Sequence, residues 1–587
     1  MSGTVFHKGR ASFSGRIPHL LLGLCAGVAV WFLGADGWRA LGGQSSDAAR
    51  AVLMIVVLCG FGAAGILLAK LGLARALGAG ALIAALTGSL AWVSMRGFED
   101  ASAYFATGHV LVALFVLAAL PVPFLQGFLQ DGQGLSYRHL FVNSWDIVVR
   151  YGAAWAFAGL ALAVAFACGA LLEIVGLRVL SDLLREDLVV AALLGGLVGL
   201  GLAVVDELDD MISPDLALRL VRLLAPFVLV VLVVFLAMVP VRGLTALFGA
   251  LSTGGSLMTA GFGAVVLVSI IVDKSDLDGP SRGILYLSAR ILAGLVILLA
   301  GLAIAAVWMR VEQYGWTPER VSAAVVSGVL LGYGVVYALA LLRGARWRAG
   351  VRSGNLGLAL VMIALAALWL NPWVTPESIS MRSQIARLDP EADAERFPLW
   401  EMAHDWGHAG KTGIAALEAV AGPRMTARLA LLERSTSRYA FTRGVADPDA
   451  ERARIAALLP VLPEGRSLDA AFFEAVEGRS GVTDTLETEC ALTTPEGHRG
   501  CLVVYADVIA GWDGEEILVL REDRAPVLFA SETRDRQNYL GSGVWDLPDG
   551  MTMAQAIDLF WRDGIRLVPS RDQEFSLGGQ RMAPRAD

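Results

Sequence analysis

The chain has 587 residues, of which 56% are hydrophobic and only 17% charged, and its formal net charge is −8. Soluble proteins carry roughly 25% charged residues, so a wholly water-soluble chain is excluded. The acidic balance speaks against nucleic acid as a partner, which wants a basic face.

Up to about residue 370 the chain is a series of apolar runs of about 18–25 residues, the length that crosses ~30 Å of hydrocarbon. Eleven spans are expected, near 17–35, 49–69, 76–95, 104–127, 151–174, 188–206, 222–241, 254–272, 284–309, 319–342 and 355–371. The first follows "HKGRASFSGR" like a signal peptide, but no small-x-small cleavage site follows, so it reads as a retained helix. With the N-terminus inside, about 16 Lys and Arg fall in the inner segments and about 8 in the outer loops, the bias of the positive-inside rule. An odd number of spans then puts the C-terminal tail outside the cytoplasm.

An ionisable residue inside a span is a functional hypothesis by default. The candidates are His109 in the fourth span, Glu173 at the end of the fifth, Glu207 beside Asp206 after the sixth, and Arg290 early in the ninth. For Glu173, Glu207 and Arg290 the bland reading is interfacial placement with snorkelling. His109 is harder to dismiss. The eighth span, "LSTGGSLMTAGFGAVV", is rich in small residues, which allow close helix packing. Cys25, Cys59 and Cys168 lie in spans and read as packing residues.

"QYGWTPERV" opens the tenth span. Thr317 suits an N-cap, Pro318 the first helical position, and Glu319 faces the positive end of the helix dipole. "VTPESISMR" repeats the pattern at Thr375, Pro376 and Glu377 and starts the first helix of the tail. With "SYRHLFVNSWDIVVRYGAAWAFAGL", "AVVDELDDMISP" and the W-G-x-x-G of "PLWEMAHDWGHAGKTGIAALE", these segments resemble the bacterial multi-pass family catalogued as domain of unknown function 4153. Its Y-G-x-T-x-x-R pattern falls on Tyr314, Gly315, Thr317 and Arg320. The resemblance implies membrane location and fold, and it carries no activity.

The whole therefore reads as an α-helical polytopic membrane protein of about 11 spans with a C-terminal α+β soluble domain. Residues 1–374 form the transmembrane domain, 375–484 a mainly helical part of an extracytoplasmic tail, and 485–587 a small β-rich part. The tail has 23 Arg and Lys against 35 Asp and Glu. Helices are expected near 398–421, 447–459 and 468–477, then strands at 501–507, 515–521 and 526–530. A helix at 553–563 follows, with a capping box of Thr552 and Gln555.

Residues 490–507 read as a hairpin that brings Cys490 and Cys501 within disulfide reach. A bridge fits an oxidising compartment such as the periplasm. It ranks ahead of free thiols and of a metal, because zinc wants four ligands and only His498 joins the two cysteines here.

Three further look-alikes are weaker. "HDWGH" sets His404 and His408 at i, i+4 in the manner of a zinc protease, but Asp405 is short for a general base and no third ligand is evident. "HAGKTG" lacks the first glycine of a phosphate loop. "DVIAGWDGEEILVL" offers Asp507, Asp513, Glu515 and Glu516, but Ile509 and Gly511 replace the middle carboxylates of a calcium loop. No cofactor is implied.

The leading expectation is an inner-membrane protein, N-terminus cytoplasmic, probing the periplasm with its tail. Its partners would be the lipid bilayer and an envelope protein or signal. A transporter or lipid flippase, with substrate among the spans, and an outer-face lipid-linked transferase are the alternatives. A transporter should show inverted repeats or broken helices near the midplane, and a transferase a deep polar groove open to lipid.

Overall fold

The computed structural model describes residues 13–34, 47–98, 101–207, 214–242, 253–371, 375–388, 397–435, 438–443, 448–468, 472–473, 490–507, 515–521, 524–530, 539–542, 545–547, 551–568, 574–577 and 580–584. The chain divides into two compact units: Met1–Asp389 with Glu401–Ala419, and Pro390–Trp400 with Val420–Asp587.

In the first unit, eleven helices among the described residues are long and apolar enough to cross a membrane. They are Arg16–Leu33, Asp47–Leu71, Leu73–Met95, His109–Asp131, Tyr137–Ile174, Asp187–Asp206, Ala217–Val241, Gly254–Val272, Ile284–Tyr314, Pro318–Leu341 and Gly344–Trp369. Each overlaps an expected span, although the fifth helix begins at Tyr137 and the eleventh at Gly344, well before the expected 151 and 355. Their outer faces carry large bare apolar side chains: Phe227 is 73% exposed, Phe115 71% and Leu160 68%. Contiguous apolar surface on that scale is untenable in water and natural against lipid.

The first and sixth spans touch backbone to backbone. A Cβ added at Gly23 would lie 2.1 Å from the carbonyl oxygen of Gly195, and one at Gly27 2.1 Å from that of Ala191. Small residues four apart on both helices permit this approach, and without a hydrophobic drive between helices such packing holds the pair. The seventh to eleventh spans share another core, built on Leu292, Val296, Leu299, Leu330 and Tyr337. Within it the Tyr337 hydroxyl donates to Asn355 Oδ1 at 2.8 Å, and Asn355 Nδ2 donates to Ser269 Oγ at 2.9 Å. Asp276 in the loop after the eighth span takes Arg352 at 2.7 Å and Arg348 at 3.4 Å. The Arg352 hydrogen bond holds this carboxyl below its ordinary value.

The second unit holds a five-stranded sheet of β1 (Val461–Leu462), β2 (Cys501–Ala506), β3 (Glu516–Arg521), β4 (Arg524–Ala530) and β5 (Tyr539–Ser542), in that order. β1 runs parallel to β2 and the other pairs are antiparallel. Every residue of β2 and β3 is buried. The alternation explains it. Leu502, Val504, Leu518 and Leu520 pack on the helix Met553–Asp563, while Cys501, Val503, Ile517 and Val519 pack on Ile455, Leu459 and Phe472. A sheet covered on both faces needs apolar residues at both parities. Four short strands, β6 (Trp545–Asp546), β7 (Leu567–Val568), β8 (Glu574–Leu577) and β9 (Gln580–Pro584), form a second sheet in the order β6-β9-β8-β7.

The helix Met553–Asp563 carries the capping box of Thr552 and Gln555. Two local expectations are modified. The stretch 398–421 is two helices, Leu399–His404 and Gly407–Glu418, broken where Gly407 adopts φ 53°. The segment before β2 is a turn with a single bridge from Thr493 to Arg499, because β2 pairs with β1 and β3 instead. Of 468–477, only 468, 472 and 473 lie among the described residues, and the calcium-like loop at 508–514 lies outside them.

Candidate functional site

His109 is the first residue of its helix, set there by Gly108 at φ 63°. Trp369 is the last residue of the eleventh span, and its indole Nε1 donates to His109 Nδ1 at 3.0 Å. On the other side of the ring, His109 Nε2 lies 3.0 Å from Glu377 Oε1. An indole N–H can only donate, so Nδ1 is the acceptor and the ring proton sits on Nε2. That proton is donated to Glu377. The hydrogen bonds therefore fix a single tautomer, in side chains only 7% (His109) and 4% (Glu377) exposed.

Glu377 sits in the first turn of the helix Pro376–Arg387, where the dipole favours an acidic group. Thr375 caps this helix and Ser378 completes the box. What docks the helix is the Tyr314–Arg320 corner. Gly315 has φ 74°, and a Cβ there would stand 2.7 Å from Gln384 Nε2. Gln384 Nε2 donates to the carbonyls of Tyr314 at 2.9 Å and Trp316 at 2.8 Å. Arg320 ties the corner from behind, donating to Gly315 O at 2.7 Å and lying over the Tyr314 ring. Thr317 Oγ1 accepts from the Arg320 amide. The four residues of the pattern thus act as a clamp that presents Glu377 to His109.

Beneath the triad lies a cavity of about 270 Å³ between the fourth, eighth, tenth and eleventh spans. Val112, Val116, Phe262, Val326, Val329 and Leu365 line it, with His109, Ser322 and Trp369 as its polar members. Ser322 Oγ already donates to the Pro318 carbonyl at 2.7 Å. The site can hold an apolar chain against a fixed imidazole. It offers neither an exposed nucleophile nor a set of metal ligands.

The other sequence candidates lie elsewhere. Glu173 faces Arg178 at 3.9 Å at the end of its helix. Arg290 is exposed and stands over the Tyr286 ring at 5.9 Å. Glu207 ends its helix, and its side chain is outside the described residues. His404 and His408 are exposed on two different helices, separated by the break at Gly407. The Gly407 turn instead brings the His408 amide to the Gly97 carbonyl at 2.8 Å, where an added Cβ would meet that oxygen at 2.2 Å.

In the second unit Cys490 and Cys501 are joined, with Cα atoms 4.9 Å apart. The turn between them is held by Asp558. His498 Nδ1 is 2.8 Å from Oδ1, the Glu496 amide donates to Oδ2 at 3.1 Å, and the Thr494 hydroxyl donates to Oδ1. Burial alone would raise the Asp558 carboxyl, but these hydrogen bonds and the His498 imidazole outweigh it and hold it below its ordinary value. Glu496, His498 and Asp558 are the one grouping of possible metal ligands among the described residues. Both oxygens of Asp558 are already taken by the turn, so the grouping reads as a staple and not a metal centre.

Reading the sequence alone missed Glu377 as a partner of His109, since 268 positions separate them. The signal available was a Glu at a capped helix start directly after the last span. No family model, curated protein or solved structure matches this chain.

Proposed function

We propose that this chain is an integral inner-membrane protein that carries its C-terminal unit into the periplasm as a module for binding a partner or signal. The observation that carries the reading is the Cys490–Cys501 disulfide in the unit that follows the last span. Disulfides persist in oxidising compartments and are rare in the cytosol. The excess of Lys and Arg in the inner segments supports the same orientation by an unrelated argument. The helix Pro376–Arg387 that follows the last span is clamped to the membrane body through Gln384, and its Glu377 meets His109.

The test is a reporter fused after residue 388. An alkaline phosphatase fusion should be active and a green fluorescent protein fusion dark. The opposite pair of results would overturn the orientation and with it the proposal. A second reading, lipid transport or flipping, is favoured by the apolar cavity under His109.

A further inference from the structure

The loop between the eighth and ninth spans and the corner between the tenth and eleventh lie together at one membrane surface. Arg348 Nη1 donates to the Pro280 carbonyl at 3.5 Å, and Arg352 Nη1 to that of Val272 at 3.3 Å. Residues 273–290 and 343–352 carry seven basic and three acidic side chains. The acids are engaged: Asp273 pairs with Arg222, Asp276 takes Arg348 and Arg352, and Asp278 accepts from the Ser275 hydroxyl. Arg282, Arg290, Arg343 and Arg346 are all exposed, and none pairs with a carboxylate among the described residues.

An aromatic pair gathers these arginines. Arg290 stands over the Tyr286 ring, and the Tyr286 hydroxyl accepts from Trp347 Nε1 at 3.2 Å. Trp347 directly follows Arg346. A Cβ at Gly350 would lie 3.4 Å from Arg343 Nη1, and one at Gly294, a turn beyond Arg290, 3.7 Å from Leu341. Helix length sets the depth. At 1.5 Å per residue, Arg290 lies about 36 Å from Tyr314 at the far end of the ninth span, and Arg343 about 39 Å from Thr317 at the far end of the tenth. The hydrocarbon is ~30 Å thick, so both guanidiniums stand just beyond it, at the level of lipid phosphates. Leu277, 97% exposed, and Leu342, 83% exposed, stand bare on the same rim.

Four guanidiniums beside one exposed acid, Asp278, select an anion. The planar guanidinium matches phosphate oxygens two at a time. A zwitterionic head would bring its own cation against the same arginines.

We propose that this rim binds a phospholipid whose head carries net negative charge: its phosphate lies among Arg282, Arg290, Arg343 and Arg346, and its chains lie along the exposed Leu298 of the ninth span and Leu339 of the tenth. This is the inner side in the orientation proposed above. The site needs only a bilayer and holds whichever way the tail faces.

The test uses purified full-length protein in phosphatidylcholine nanodiscs. The probe is phosphatidylglycerol bearing a diazirine near the head of one acyl chain. It should label peptides of the ninth or tenth span, and unlabelled phosphatidylglycerol should compete where added phosphatidylcholine does not. Arg290→Gln and Arg343→Gln should each weaken that competition about 5-fold, the worth of one basic residue at an anionic surface. Arg343→Lys, which keeps the charge, should restore most of it. Arg75→Gln removes an exposed arginine from another loop and should change nothing. Equal competition by the two lipids, labelling confined to other spans, or an effect of Arg75→Gln as large as that of Arg343→Gln would overturn the proposal. Competition by millimolar glycerol 3-phosphate would overturn the lipid in favour of a soluble phosphate. If a variant fails to fold, the comparison of the two lipids on the wild-type protein decides.

Discussion

At the scale of single residues, the protein relies on polar groups that are buried and matched one to one. Glu377→Ala would leave the His109 Nε2–H in a buried place without an acceptor. That should cost about 1–3 kcal/mol, seen as a lower apparent melting temperature of the purified protein. Glu377→Gln keeps an acceptor oxygen and should cost less. Asp558 gives a pH dependence of defined sign. Its carboxyl is held below its ordinary value, so the stabilisation is fully present above that value, roughly pH 4 for an aspartate. It is lost as pH falls through the lower folded value. Pepsin should therefore cut the 490–507 segment with a steep rise in strong acid, and Asp558→Asn should cut readily throughout. These pairings were invisible in the sequence because partners such as His109 and Glu377, or His498 and Asp558, are far apart in the chain. Cys490 and Cys501 were legible because only 11 positions and a turn separate them.

At the scale of elements, local chemistry was legible wherever the cause was local. The spans were readable because a bilayer demands a fixed apolar length and tolerates few charges. The caps at Thr317, Thr375 and Thr552 were readable because a cap is made by residues three apart. The break at Gly407 was not, since it depends on the Gly97 carbonyl from a distant loop. Nor was the clamp role of the Tyr314–Arg320 corner, which needs Gln384. That clamp makes a specific prediction. Gly315→Ala puts a side chain at φ 74° and ψ 178°, a region essentially reserved for glycine, at about 1–3 kcal/mol, and against Gln384. The helix Pro376–Arg387 should loosen, read as faster trypsin cleavage at Arg382 or Arg387 with the spans still intact.

At the scale of the whole molecule, eleven apolar helices, a belt of bare apolar side chains and an α+β unit closed by a disulfide describe a membrane protein with a folded tail. The spans and the sheet were foreseen. The cavity under His109 was not, because it is walled by residues from four different spans. The central claim is the side on which the tail lies. Protease added to intact spheroplasts tests it most directly, with an antibody tag after residue 587. With the tail outside, the tag is lost while a cytoplasmic control protein survives. Protection of the tag until the membrane is permeabilised would contradict it.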